Sequence, residues 1–180
     1  MGTSMLLGFL IAIVLGLYSG KNKNGVLDKI TSMFCYVGIS IPTFWFGIML
    51  IYLFSVHLHI LPSIGMHSDG NRSLGDLILH MVMPCAVLTF ANASQYIRYL
   101  RSSTITEMSS DYVMVQKAYG MKESGILFRH VLKNAMLPMI TVLGMSLQSL
   151  VSGAIITEQV FAWPGIGQLA VTASCSMIIP

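Results

Sequence analysis

The stretch TSMLLGFLIAIVLGLYSG, residues 3–20, runs eighteen positions without a charged side chain. In hydrocarbon every backbone amide must find its partner inside the chain, so such a run is satisfied as a helix. At 1.5 Å per residue, about 20 apolar residues cross a core roughly 30 Å thick. Three further stretches qualify, at 33–57, 77–97 and 136–157. Charged residues make up 9% of the chain, against about 25% in soluble domains. That is too few to build a wetted surface, and the lipid bilayer is the expected solvent. The fold class is therefore all-α: a polytopic membrane helical bundle with four spans, read as one transmembrane domain over 1–180. Pro42, Pro84 and Pro138 lie in or at the ends of these spans, where neighbouring helices can re-satisfy the freed carbonyls. Pro138 is expected in the first turn of the fourth span, where no donor is needed.

The opening run does not read as a cleaved leader. No basic residue precedes it, Lys21 and Lys23 follow it, and no small-x-small cleavage pattern ends it. It starts so close to Met1 that an upstream extension of the natural chain is an expectation. Cys35, Cys85 and Cys175 lie far apart with no CxxC spacing, which suggests neither a disulfide framework nor a zinc site. A net charge of +3, carried locally, does not suggest nucleic acid as a partner.

Lysine and arginine set the orientation. Lys21, Lys23 and Lys29 follow the first span. Arg98, Arg101, Lys117, Lys122, Arg129 and Lys133 follow the third. Only Arg72 follows the second. Alternate sides thus carry nine and one of the ten basic residues, and the nine mark the cytoplasm. Residues 58–76 and 158–180 are expected to face outward. Gly8, Ala12, Gly16 and Gly20 make a stripe of small residues every four positions, with a shorter one at Ser149 and Gly153. Such stripes let helix backbones approach closely, either within this chain or against a second subunit.

Residues 98–135 form a basic insert too long for a turn. Ile105, Met108, Tyr112, Val115 and Tyr119 recur at spacings of three and four, one apolar stripe of a helix. Ser109, Ser110 and Asp111 can cap or restart it. Gly120 follows, where a left-handed residue often ends a helix. A second helix then begins near Glu123, with Ile126, Leu127, Val131, Leu132 and Ala135 on one side and Arg129 and Lys133 on the other. Two readings compete. An amphipathic basic helix can lie on anionic lipid, or it can dock as a rigid element in a groove of a soluble partner. The elbow favours docking, because a helix lying on lipid needs none.

The run DYVMVQKAYGMKESGILFRHVLKNAMLPMITVLG, residues 111–144, resembles the cytoplasmic coupling motif of bacterial ABC-importer permeases of the dipeptide, oligopeptide and nickel branch. SIPTFWFGIMLIYLFSVHLHILPSIG, at 40–65, resembles the middle-span signature of that branch. ITEQVFAWPGIG, at 156–167, resembles its outward segment. The three occur in order across nearly the whole chain. The general coupling motif reads Glu-Ala-Ala-x-x-x-Gly; here Met114, Val115 and Gln116 occupy its first three positions, while Gly120 and the branch's Ala118 match. On this resemblance the chain carries the middle four of six spans, lacking the first and last, in the bacterial inner membrane.

The resemblance implies a transport subunit for peptides, nickel or a related small solute, not an enzyme. It implies cytoplasmic ATPase subunits, a second permease subunit and an extracytoplasmic solute-binding protein as partners. Tyr112, Lys117, Ala118, Tyr119, Gly120, Met121 and Lys122 would meet the ATPase. Phe161, Trp163, Pro164, Gly165 and Gly167 would form an outward loop over the path. No cofactor is expected on this chain, with ATP and Mg on the partner. The residues agree, since no G-x-x-x-x-G-K-[ST] loop is present: Gly20-Lys21 has Leu15 and Asn22 where Gly and Ser or Thr belong. Ionisable groups inside spans mark functional sites, and here they are nearly absent. His57 and His80 lie near span ends, and Glu158 closes the fourth span. Asn92, Ser94, Gln95, Gln148 and Ser149 remain as polar path candidates, or as simple interhelical hydrogen bonders. His57 and His59, with His67 and Asp69 nearby, do not make a metal site by spacing. Trp45, Tyr52, Phe161 and Trp163 suit interfacial aromatic belts. The alternative is a small carrier or channel outside the ABC class whose insert lies on lipid. Carriers favour intramembrane charges, which are scarce here.

Overall fold

The computed structural model describes residues 1–68, 73–152 and 154–178, and the side chains of all of these except 151, 152 and 175–178. Every regular element among them is helical: α1 (Gly2–Lys21), α2 (Val26–Ser40), α3 (Thr43–Leu50, continuing as a π-helix over Ile51–His57) and α4 (Leu74–Met108). α5 (Asp111–Ala118) and α6 (Glu123–Ile126) follow. A π-helical stretch, Leu127–Val131, joins α6 to α7 (Leu132–Ser152), and α8 (Ile155–Val160) and α9 (Ile166–Ile178) come last. Three helical stretches are long and apolar enough to cross a membrane, Gly2–Lys21, Leu74–Met108 and Glu123–Leu150; a fourth candidate is the pair Val26–Ser40 and Thr43–His57 taken together.

That pair corrects the second predicted span. Instead of one helix over 33–57, α2 ends at Ser40 and α3 begins at Thr43. Pro42 causes the break. Its ring disfavours helical geometry at Ile41, and Pro42 itself sits extended, at φ −61° and ψ 133°. α2 also starts earlier than expected, which draws Asp28 into its first turn. The third span extends the other way, since α4 runs on to Met108 and takes the first eleven residues of the predicted insert with it. Pro138 is corrected as well. It lies inside α7, because the helix that starts at Glu123 continues through the π stretch without a stop. Pro138 therefore cannot donate to the Asn134 carbonyl, a loss the long helix absorbs. The fourth span starts and ends earlier than 136–157. Helical geometry lapses at Ala154 (φ −98°, ψ 68°), and Ile155 begins α8. The Ser149–Gly153 stripe falls partly outside the described residues.

Two compact units emerge, one of 5–40 with 90–146, the other of 1–4, 41–89 and 147–180. In the first, α1 lies on α4 through its small residues. A side chain added at Gly20 would meet the Thr104 Cβ at 2.5 Å, and at Gly16 the Leu100 Cβ at 3.0 Å. The stripe is thus filled from within the chain. Ala12, Cys35, Ala93, Tyr96, Ile97 and Met139 form one buried cluster; Leu17, Val113, Ile126, Leu127 and Val131 form another. In the second unit Met83, Val87 and Phe161 are enclosed by Phe46, Leu50, Ile51, Phe54, Leu61 and Val160. Leu6, Leu7, Leu10 and Val14 of α1 are exposed, whereas Ser4, Ser19, Ser94 and Thr104 are buried. Large apolar side chains outside and small or hydroxyl-bearing ones between helices is the arrangement a hydrocarbon solvent favours.

Candidate functional site

The basic insert is built by two chain reversals. At Ser110 the backbone turns extended (φ −79°, ψ 153°), which ends the register of α4 and starts α5 afresh. At the other end Gly120 adopts φ +76°. There the Met121 amide donates to the Gln116 carbonyl at 3.1 Å and the Gly120 amide to Lys117 at 3.0 Å. This 6→1 and 5→2 pairing is a Schellman turn, which closes the last carbonyls of α5. Lys122 is then extended and admits α6.

The phase reset at Ser110 redistributes the predicted stripe. Ile105, Met108, Tyr112, Val115 and Tyr119 do not share one buried face. Val113, absent from that stripe, is 1% exposed and packs with Leu17, Ile126, Leu127 and Val131, while Met108 and Tyr112 cover them. Val115 and Tyr119 point away, and Tyr119 is 85% exposed. With Met114 and Met121 they give α5 and its elbow an apolar outer surface. Beside it Lys117 and Lys21 both reach Glu123, at 3.4 and 3.2 Å. Ala118 and Lys122 are exposed. The second helix follows expectation, with Ile126, Leu127, Val131 and Ala135 buried and Arg129 and Lys133 outside.

Two polar clusters escaped the sequence reading. Glu107, in the last turn of α4, accepts the Tyr112 hydroxyl at 2.7 Å and the Asn134 side-chain amide at 3.2 Å. Burial, and then this bond to a carboxylate, push the Tyr112 phenol above its usual range, so it remains a donor. Asp28, 2% exposed, accepts from the Ser19 hydroxyl at 2.5 Å and the Asn24 amide at 2.9 Å, and is bound in two-pronged fashion by Arg101 Nε and Nη2. Neither cluster has a periodic signature, because its members are 27 and 73 residues apart.

Of the path candidates, Asn92 is half-buried beside Gly8, and Ser94 is buried and donates to the Phe90 carbonyl at 2.8 Å. Gln95, Gln148 and Ser149 are exposed. Asn92 and Gln95 belong to α4, Gln148 and Ser149 to α7.

The 161–167 segment has a different basis from an aromatic loop. Phe161 is 2% exposed in a core cluster, so it is no belt residue. Trp163, half-buried, lines a cavity of about 80 Å³ with Met81, Pro84, Cys85 and Leu88. Ala162 takes φ +46° to make the turn. Glu158 does not close α7 but sits in α8, and its carboxylate accepts from the Gln168 amide at 3.0 Å and the Ala154 amide at 3.3 Å. It thereby caps the start of α9 with a charge-assisted bond. A side-chain carbon at Gly165 or Gly167 would run into that carboxylate, and Pro164 leads into the helix.

Among the described residues no three His, Cys, Asp or Glu side chains converge as metal ligands. His57 ends the π-helix of α3 and His59 follows outside it at φ +53°. Asp69 lies outside the described residues. His67 instead approaches Asp76, which accepts the Ser68 amide at 2.7 Å.

Residues 12–180 match the family described as the binding-protein-dependent transport system inner membrane component. The chain belongs to this family. Its relatives include the oligopeptide transport system permease protein AppB of Bacillus subtilis, 36% identical over 95% of this chain and 54% of the relative. The probable D,D-dipeptide transport system permease protein DdpB of Escherichia coli is 34% identical over 98% of this chain and 58% of its own length. The glutathione transport system permease protein GsiC of Salmonella choleraesuis is 34% identical over 94% and 52%. The chain thus spans about half the length of these relatives. Membership fixes it as a multi-pass inner membrane component and removes the reading of a carrier or channel outside the ABC class.

Proposed function

We propose that this chain is the transmembrane subunit of an ATP-driven importer, and that α5 with its Gly120 elbow is the element gripped by separate ATPase subunits on the cytoplasmic side. The outer surface of α5 carries the argument. Met114, Val115 and Tyr119 are exposed on a helix whose inner face is fixed by Val113. The helix is short, is bounded by a chain reversal at each end and carries Lys117 and Lys122 at its elbow end, as suits an element docking in a protein groove. Of the residues expected at the contact, Tyr119, Ala118, Met121 and Lys122 lie on the outer side, while Tyr112 turns inward to Glu107. ATP and Mg belong on the partner. A solute-binding protein and a second permease complete the machine. Asn92, Gln95, Gln148 and Ser149 are offered as neutral path-lining groups. A peptide-class solute is favoured over a nickel chelate, because the relatives are named for oligopeptide, D,D-dipeptide and glutathione transport.

The test is co-purification from membranes in which the permease is expressed with the ATPase subunits of its transport system. Met114→Asp and Tyr119→Asp each place a charge on the outer face of α5 without touching its packed side. ATPase recovery should fall at least ten-fold, with the amount of permease in the membrane unchanged. Full recovery with both variants would show that α5 is not the docking element.

A further inference from the structure

We infer that Glu107 is a positioning residue that ties the docked helix to the long helix behind it, an inference that rests on the docking role proposed for α5. The covalent route from α5 to α7 passes through Gly120, and a glycine turn with no neighbour within 4 Å of where a side chain would start is a poor transmitter of displacement. Glu107 supplies a second route. Its half-buried carboxylate takes the Tyr112 hydroxyl from the first turn of α5 and the Asn134 amide from the first turn of α7, at 2.7 and 3.2 Å. One acceptor oxygen, Oε2, serves both donors, so the two helices can shift relative to each other only by breaking a charge-assisted bond. The Ser110 hydroxyl adds a bond to the Glu107 carbonyl at 2.5 Å, which holds the reversal between α4 and α5. Movement imposed on α5 therefore reaches α7 above the elbow as well as through it, and the continuous helix from Glu123 to Leu150 carries it onward.

Amide hydrogen exchange in the purified permease–ATPase complex reads this directly. The quantity is the change in exchange over residues 123–139 when ATP with vanadate is added. Tyr112→Phe removes one hydroxyl and keeps the ring, so it leaves packing intact where Glu107→Ala could disturb it. With both variants the ATPase should co-purify as in the parent, and the nucleotide-dependent change should shrink at least five-fold. Glu107→Gln keeps an acceptor oxygen and should retain at least half of the change. A merely structural residue would alter exchange equally with and without nucleotide. A full nucleotide response in Tyr112→Phe and Glu107→Ala overturns the tie, as does a parent complex in which residues 123–139 do not respond. Failure of the docking role shows separately, as ATPase recovery that Met114→Asp and Tyr119→Asp leave intact.

Discussion

Gly120 holds φ +76° because two hydrogen bonds close on it and because it has no side chain to oppose them. A left-handed backbone costs a non-glycine residue about 1–2 kcal/mol. Gly120→Ala should therefore lower the unfolding midpoint of the detergent-solubilised chain by about 2–4 °C per kcal/mol for a chain of this size, read by circular dichroism. An unchanged midpoint would mean the elbow is not strained. The Asp28–Arg101 pair obeys another rule. Both groups are largely removed from solvent, so removing one strands the other, at about 3–5 kcal/mol, whereas replacing both with apolar groups of similar size is close to neutral. Arg101→Met alone should destabilise by about 3 kcal/mol, and Asp28→Leu/Arg101→Met should recover most of it. If the double variant is no better than the single, the pair is not an isolated unit. Gly120 was legible in the sequence because its turn chemistry is local. Asp28 was not, because it read as loop, whereas α2 starts at Val26 and takes Asp28 into its first turn.

Among the elements, periodicity served where a helix is uninterrupted and failed where a break resets it. The small-residue stripe of α1 and the apolar side of the helix after Glu123 were legible from spacing, since each lies on one continuous helix. The stripe drawn from Ile105 to Tyr119 crossed Ser110, and the break handed the inner face to Val113. Pro42 and Pro138 look alike on paper, yet one ends a helix and the other is carried inside one; the difference is that α7 is extended through Pro138 from a helix already formed at Glu123. The segment after α7 was read through its aromatics, while its organising group is Glu158. Glu158→Ala leaves the start of α9 without its carboxylate partner, a loss of about 0.5–2 kcal/mol for a capping contact. Exchange protection of residues 166–170 should drop accordingly, about two- to thirty-fold at RT of about 0.59 kcal/mol, and Glu158→Gln should drop less. Protection unchanged in Glu158→Ala would show that the cap contributes nothing.

For the whole molecule, membership of an inner membrane family leaves one topological question, set by the helix break at Pro42. If α2 and α3 together cross the bilayer, residues 58–68 lie opposite the α5 elbow. If they enter and return on the same side, residues 58–68 still lie opposite the elbow, because α4 crosses between them, and it is Lys21, Lys23 and Lys29 that part from the elbow. Charge decides between these. Nine of the ten basic residues fall in segments that share a side only when the broken pair counts as one crossing, and moving several lysines outward opposes the bias that orients short loops. In a background with Cys35, Cys85 and Cys175 replaced by serine, Ser63→Cys should react with a membrane-impermeant maleimide in intact cells. Lys23→Cys and Lys122→Cys should react only after the membrane is opened. Labelling of Lys23→Cys in intact cells, with Lys122→Cys protected, would make the broken pair a re-entrant loop, and the proposed docking side would survive; labelling of Lys122→Cys in intact cells would remove it.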